Sequence, residues 1–272
     1  MKKLVVALSA LAAFTGSALA ADMAPRYSKA PPPAPMPVAS WTGCYVGGGG
    51  GYGLYDIDSQ QQFGAPAIVA PNPAILVNRP IDQGGRGWIG TLQAGCDYQF
   101  AAIGQQFVVG AFGDYNFSNI KGNFTGDGVN VGLVSNTEKV DWYWAVGGRI
   151  GWLVNPATLT YFSAGYTEAH RTGVGNYLTA INTPIGIGLN GGTSTGWFLG
   201  SGIEHQIGWI PNLTWKTEYR FSEFDWKNNT EFLVATGLNT GFFSRDKLFT
   251  HTVISTLSYR FNFGGPSVVA KY

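Results

Sequence analysis

Between Trp41 and Phe263 eight long segments alternate apolar with polar residues, and no segment has helical spacing. They span 41–56, 86–101, 106–118, 139–154, 158–172, 195–208, 213–228 and 247–263. Each supplies the roughly 9–11 residues that a tilted strand needs to cross a bilayer, whereas strands of soluble proteins mostly run to about 5–6. The connections alternate in length. Segments 57–85, 119–138, 173–194 and 229–246 are long; 102–105, 155–157 and 209–212 are tight turns, reading AIGQ, NPA and WIPN. An up-and-down barrel in an outer membrane collects long loops at its outer end and short turns at its periplasmic end. A soluble sandwich gives no reason for such asymmetry.

The two faces of the segments differ in chemistry. In HTVISTLSYRFNF, Val253, Ser255, Leu257, Tyr259, Phe261 and Phe263 alternate with Thr252, Ile254, Thr256, Ser258, Arg260 and Asn262. Segment 139–154 sets Trp142, Trp144, Val146, Ile150, Trp152 and Val154 against Asp141, Tyr143, Ala145 and Arg149. Segment 213–228 sets Leu213, Trp215, Tyr219 and Phe221 against Lys216, Glu218 and Arg220. Segment 158–172 leaves its phase open at Tyr161 and Phe162. Bulky apolar side chains opposite a face of charges and small residues suit lipid outside and a polar interior. A soluble, lipocalin-like periplasmic barrel is the alternative, and it calls for the reverse. In lipid only closure satisfies every backbone group, so the eighth strand should pair with the first. The expected fold is all-β: an eight-stranded antiparallel up-and-down transmembrane β-barrel.

Composition agrees. Of 272 residues only 12% are charged, the net charge is +1, and the 39 glycines are accompanied by 17 Phe, 13 Tyr and 9 Trp. The balance offers no basic field for nucleic acid. Residues 1–20 read as a signal peptide, with Lys2 and Lys3 before LVVALSALAAF and the small residues of Ala18-Leu19-Ala20 at the cleavage site. Residues 21–40 are a Pro-rich tail expected to lie in the periplasm, 41–265 the barrel, and 266–272 a C-terminal extension.

At this level of detail a family resemblance is visible. WTGCYVGGGGGYG, WAVGGRIGW, GWFLGSGIEHQI…TWKTEYRF and the closing HTVISTLSYRFNFGG resemble the rhizobial and brucella-type small outer-membrane proteins, known as outer-membrane immunogenic proteins or porin-family β-barrels. The resemblance implies residence in the bacterial outer membrane and roles in envelope integrity and surface antigenicity. For some relatives it also implies a porin or haem-binding role. It further implies an aromatic C-terminal signal read by the barrel-assembly machinery, for which Phe261 and Tyr272 are the candidates.

The polar-face charges are Asp97, Asp114, Arg149, Glu204, Lys216, Glu218, Arg220 and Arg260. Isolated buried charges are costly, so these should pair within the barrel. An eight-stranded barrel has an interior just wide enough for side chains, whereas open channels belong to barrels of about 16 strands. A salt-bridged plug is therefore favoured over a narrow solute path. Cys44 and Cys96 lie near the turn end of adjacent strands on one face. The hairpin register is compatible with a disulfide, but a one-step slip separates them and leaves two thiols against lipid.

The histidines, His170, His205 and His251, show no metal-ligand spacing, and His170 is the best placed for a haem role. Ser255 and His251 share a strand face about 13 Å apart, too far for a dyad. VGGGGGYG lacks the Lys and Ser/Thr of a phosphate-binding loop. No enzyme and no cofactor are expected. Phe232, Leu233, Phe242 and Phe243 are expected in an exposed loop, against lipopolysaccharide, another protein or one another. The expected function is that of a structural, surface-exposed outer-membrane protein. A low-conductance porin and a haem or host-surface binder acting through the loops are the alternatives. Expected partners are outer-membrane lipid, lipopolysaccharide and the assembly machinery, with no nucleic acid.

Overall fold

The computed structural model describes residues 40–63, 81–128, 132–178 and 183–261. The signal peptide, the Pro-rich tail up to residue 39 and the 266–272 extension lie outside the described residues.

One antiparallel sheet contains every described strand. Its members are β1 (Gly43–Phe63), β2 (Ile81–Ala102), β3 (Gln105–Gly128), β4 (Gly132–Asn155), β5 (Thr158–Arg171), β6 (Val174–Leu178), β7 (Thr183–Leu189), β8 (Gly192–Gln206), β9 (Leu213–Phe224), β10 (Lys227–Leu233) and β11 (Asn239–Phe261). β1, β2, β3, β4, β5, β8, β9 and β11 form a ring of eight, closed by β1 against β11 from Cys44↔Phe261 to Phe63↔Phe242. The sequence explains that seam. Gly47, Gly49, Gly51 and Gly53 occupy the inward positions of β1, and a Cβ at Gly49 or Gly51 would press into the β11 backbone at Ser255 or Val253. At the tight end Ile103 and Gly104 both take positive φ, 50° and 73°, as a two-residue hairpin turn demands.

Outward positions carry the large exposed apolar side chains, including Val46, Leu92, Ile150, Phe162, Leu199, Trp215, Val253 and Leu257. Inward neighbours such as Thr256, Ser258 and Arg260 are buried. Tyr161 points in and Phe162 out, which fixes the phase left open on β5. Aromatic side chains gather in two girdles. Tyr98, Phe100, Phe107, Trp152, Tyr259 and Phe261 lie near the turns; Tyr52, Trp88, Tyr115, Trp142, Trp197 and Phe221 lie at the opposite boundary. On β11 the outward face carries no Asp, Glu, Lys or Arg from Phe261 to Phe249 before Lys247, its polar Ser255 and His251 being hydrogen-bonded to Thr217 and Tyr219. At the usual rise and tilt that stretch spans roughly 30 Å, the depth of a membrane.

The strands do not stop there. Four segments expected as long loops contain strand: β1 continues to Phe63, β3 to Gly128, and β6, β7 and β10 fall within 173–194 and 229–246. β5 and β6, β7 and β8, and β9 and β10 are each separated by two residues, at Thr172-Gly173, Asn190-Gly191 and Asp225-Trp226. Above these breaks β4 pairs β6, β6 pairs β7, β7 pairs β10 and β10 pairs β11, so the wall continues beyond the membrane with β6, β7 and β10 in place of β5, β8 and β9, while the β2–β3 ladder ends at Arg86↔Lys121. Gly, Asn and Asp at the breaks masked that continuity, because the same residues end strands elsewhere. A bulge between Val140 and Trp142 corrects the expected face of Asp141, which lies outside beside Lys139.

Candidate functional site

The barrel interior is filled in layers. At the turn end Trp41, just before β1, has no exposed surface; its indole N–H donates to the Pro156 carbonyl at 3.2 Å, and its backbone N–H to Gln99 Oε1 at 3.0 Å. It packs with Val108, Leu153, Leu159 and Tyr161.

Above Trp41 lies a closed ring of four charges from β2, β4, β8 and β11. Arg149 forks onto Asp97 (2.9 and 2.5 Å) and reaches Glu204 Oε2 at 2.7 Å. Arg260 donates to Asp97 at 2.7 Å, to Glu204 Oε1 at 3.1 Å and to the Trp41 carbonyl at 2.7 Å. The Thr214 hydroxyl donates to Glu204 Oε1 at 2.7 Å. Each guanidinium also lies over aromatic faces: Arg149 over Tyr45 and Tyr161 at 4.9 and 5.1 Å, Arg260 over Trp41 at 5.2 Å. Two cations and two anions cancel, so each buried charge has its counter-charge and directional donors, the conditions under which burial is tolerable.

A second neutral layer follows. Arg220 forks onto Asp114 at 3.1 and 2.9 Å and donates to Glu218 Oε1 at 2.9 and 2.8 Å, with Phe198 against its plane at 4.4 Å. Lys216 lies 3.6 Å from Glu218 and donates to Gln93, whose amide donates to Thr256 at 3.0 Å and Ser258 at 2.7 Å. The Tyr161 hydroxyl donates to Glu218 at 2.7 Å and so joins the two layers. The cavity beside these groups measures about 10 Å³, room for a single water molecule.

Tyr55, Ile57, Ile89, Ile120, Tyr143, Phe224 and Leu248 form an apolar layer above. It is topped by Arg171, which donates to Glu138 at 2.7 Å and lies 3.5 Å from Asp246. Asp246 also accepts from Ser59 at 2.7 Å and Asn229 at 2.5 Å.

The structure therefore brings together the eight charges named for the barrel interior; Asp141, which alternation also put on the polar face, lies outside. Trp41 and the Arg171–Glu138–Asp246 cluster were not singled out from sequence. Trp41 opens the first segment with no alternation before it, and Glu138 and Asp246 fell in segments read as loops. Alternation extended past the girdle was the available signal for Asp246; for Glu138 the bulge between Val140 and Trp142 reverses the phase, so alternation alone places it on the wrong face. Cys44 and Cys96 face each other directly on β1 and β2 and form a disulfide on the outer side of the wall.

The histidines sit on three strands. His170 stacks on Trp142 at 5.3 Å, His205 Nδ1 meets the Thr158 hydroxyl at 2.9 Å, and His251 Nδ1 meets the Tyr219 hydroxyl at 2.8 Å. Ser255 pairs with Thr217 at 2.7 Å, not with His251. Among the described residues no three His, Cys, Asp or Glu side chains are placed to hold a metal ion. Phe232 and Phe243 are half-buried and Leu233 is exposed.

No family model matches the chain. It is 28% identical to the 31 kDa outer-membrane immunogenic protein of Brucella melitensis, over 95% of this chain and 100% of that protein. It is 27% identical to the 25 kDa outer-membrane immunogenic protein of Brucella canis, over 96% and 99%. Among solved structures, Ail, the attachment invasion locus protein of Yersinia pestis, aligns over 80% of this chain and 99% of that chain, at 12% identity and a TM-score of 0.34. The chain is an outer-membrane β-barrel protein, similar along nearly its whole length to the Brucella outer-membrane immunogenic proteins.

Proposed function

We propose that this protein is a closed, non-conducting barrel with a structural and surface-display role in the outer membrane, and that it catalyses no reaction. One observation carries the reading: the lumen is occupied by two neutral charge layers, Trp41 and an apolar layer, beside a cavity of about 10 Å³. A solute path requires a continuous hydrated bore, and eight strands leave room only for side chains. The wall that rises beyond the membrane supports the display part of the role, since it offers a rigid β surface outside the cell. Outer-membrane lipid around the wall and the assembly machinery during biogenesis are its proposed partners.

The test is a deletion strain. Raised entry of a bulky antibiotic and raised detergent sensitivity, both restored by the wild-type gene, support the structural role. Slowed uptake of a small solute with the barrier intact would replace it with a porin.

A further inference from the structure

Three basic side chains stand in a row on the outer wall. Arg86 on β2 faces Lys121 on β3, and Lys121 faces Lys139 on β4, each as a direct cross-strand partner. Opposed residues of neighbouring strands have Cα atoms about 5 Å apart, so three cations share roughly 10 Å of wall. Like charges placed directly opposite each other oppose pairing, so an external anion bound between them would relieve the row.

Among the described residues the acids nearby supply it only at Lys139. Lys139 lies 2.9 Å from Asp141, which also faces His170 at 3.5 Å and accepts from the Thr172 hydroxyl at 2.7 Å. Asp56, exposed on β1, faces Gly84, while Leu54 faces Arg86. Among the described residues Arg86 and Lys121 are exposed and make no ion pair.

The height of the row narrows the choice of anion. Trp88, two residues from Arg86 on the same face, is 72% exposed, and Tyr52 meets it edge-on at 5.2 Å. Phe117 and Tyr115 continue below Lys121, and Trp142 stacks on Tyr115 at 6.1 Å. Such a girdle marks the boundary between acyl chains and headgroups. It lies at the end away from the tight turns, which faces the outer leaflet. The side chains thus offer cations at headgroup depth and aromatic faces at acyl depth on one strip of wall.

We propose that Arg86, Lys121 and Lys139 dock the phosphates of lipopolysaccharide, the phosphorylated glycolipid of the outer leaflet, while Trp88, Phe117 and Trp142 receive its acyl chains. Arg and Lys donors are suited to phosphate, Arg through its fork and Lys as a point charge. The site rests on the envelope role above only for the leaflet it faces. Binding is measured apart from permeability, so either can fail alone.

The full-length barrel, refolded in a neutral detergent, is titrated with bisphosphorylated lipid A and read by native mass spectrometry. Arg86→Gln with Lys121→Gln should bind about tenfold more weakly, or worse. Arg245→Gln with Lys247→Gln, which removes equal charge elsewhere on the wall, should stay within about twofold of wild type. Dephosphorylated lipid A should bind wild type as poorly as intact lipid A binds the double variant. Millimolar inorganic phosphate should not compete. Equal loss in both double variants, no loss in the first, or displacement by inorganic phosphate would each overturn the proposal. Lys121→Arg, which keeps the charge, should bind like wild type, and a lone Lys121→Gln asks the same question should the double variant not refold.

Discussion

Arg149→Met preserves most of the side-chain volume and deletes the guanidinium that holds Asp97 at 2.9 and 2.5 Å and Glu204 at 2.7 Å. Arg260 then faces both carboxylates alone, at 2.7 and 3.1 Å, and the layer passes from neutral to a net negative charge. Removing one partner of a buried pair costs about 3–5 kcal/mol. Tyr45 and Tyr161 also lose the cation lying 4.9 and 5.1 Å from their ring centres, a contact that the thioether sulfur partly replaces. The expected destabilisation is about 4 kcal/mol. Adding Glu204→Gln restores neutrality and leaves Asp97 on Arg260. The double variant should therefore be more stable than Arg149→Met alone, with a coupling of about 1–3 kcal/mol. Urea unfolding of the barrel in lipid vesicles, followed by Trp fluorescence and gel mobility, measures both values. A hydrated lumen would make the same pair worth only about 0–1 kcal/mol. A cost that small for Arg149→Met, or simple additivity in the double variant, would refute a dry, layered interior.

Gly110→Ala would drive a Cβ into the Asp97 carboxylate and should cost about 1–3 kcal/mol by the same assay. Gly90→Ala meets nothing within 4 Å and should stay within about 0.5 kcal/mol of wild type; equal effects would show that the carboxylate packing is not what demands glycine. Cys44→Ser with Cys96→Ser opens a link across a sequence separation of 52, and chain entropy puts the upper bound on its cost near 4 kcal/mol. The urea midpoint of wild type should fall toward that variant in reductant, and an unchanged midpoint would mean that the bridge contributes nothing. Trp41→Ala removes a wholly buried side chain from the turn end and should cost about 3–5 kcal/mol; a loss below about 1 kcal/mol would show that the indole does not seal the barrel.

The wall was legible because lipid outside and polar groups inside impose a period of two on every spanning strand. Leu257 against Arg260 and Trp215 against Lys216 already sort the two faces. Which charges meet was not legible. Asp97 and Arg149 are 52 residues apart in sequence and lie on non-adjacent strands, so their contact depends on the diameter and shear of the closed ring. Trp41 escaped notice for a related reason: what it fills is defined only once Pro156, Leu159 and Arg260 surround it. The outer extension was hidden by its breaks. Thr172-Gly173 and Asn190-Gly191 carry the residues of true turns, and only pairing such as Val134↔Leu178 and Glu231↔Leu189 shows that the wall resumes beyond them. The basic row was missed because Arg86 and Lys139 open two strand segments while Lys121 fell in the stretch 119–138 read as a loop, and nothing local links them.

Single-channel conductance of the refolded wild-type barrel in a planar bilayer tests the closed lumen. Silence from a folded, heat-modifiable sample is the result the proposed closed barrel predicts, with Trp41, Arg149, Arg220 and their partners filling the lumen among the described residues. Steady stepwise conductance, enlarged by Glu218→Ala with Arg220→Ala, would contradict it and make those charges the constriction of a pore.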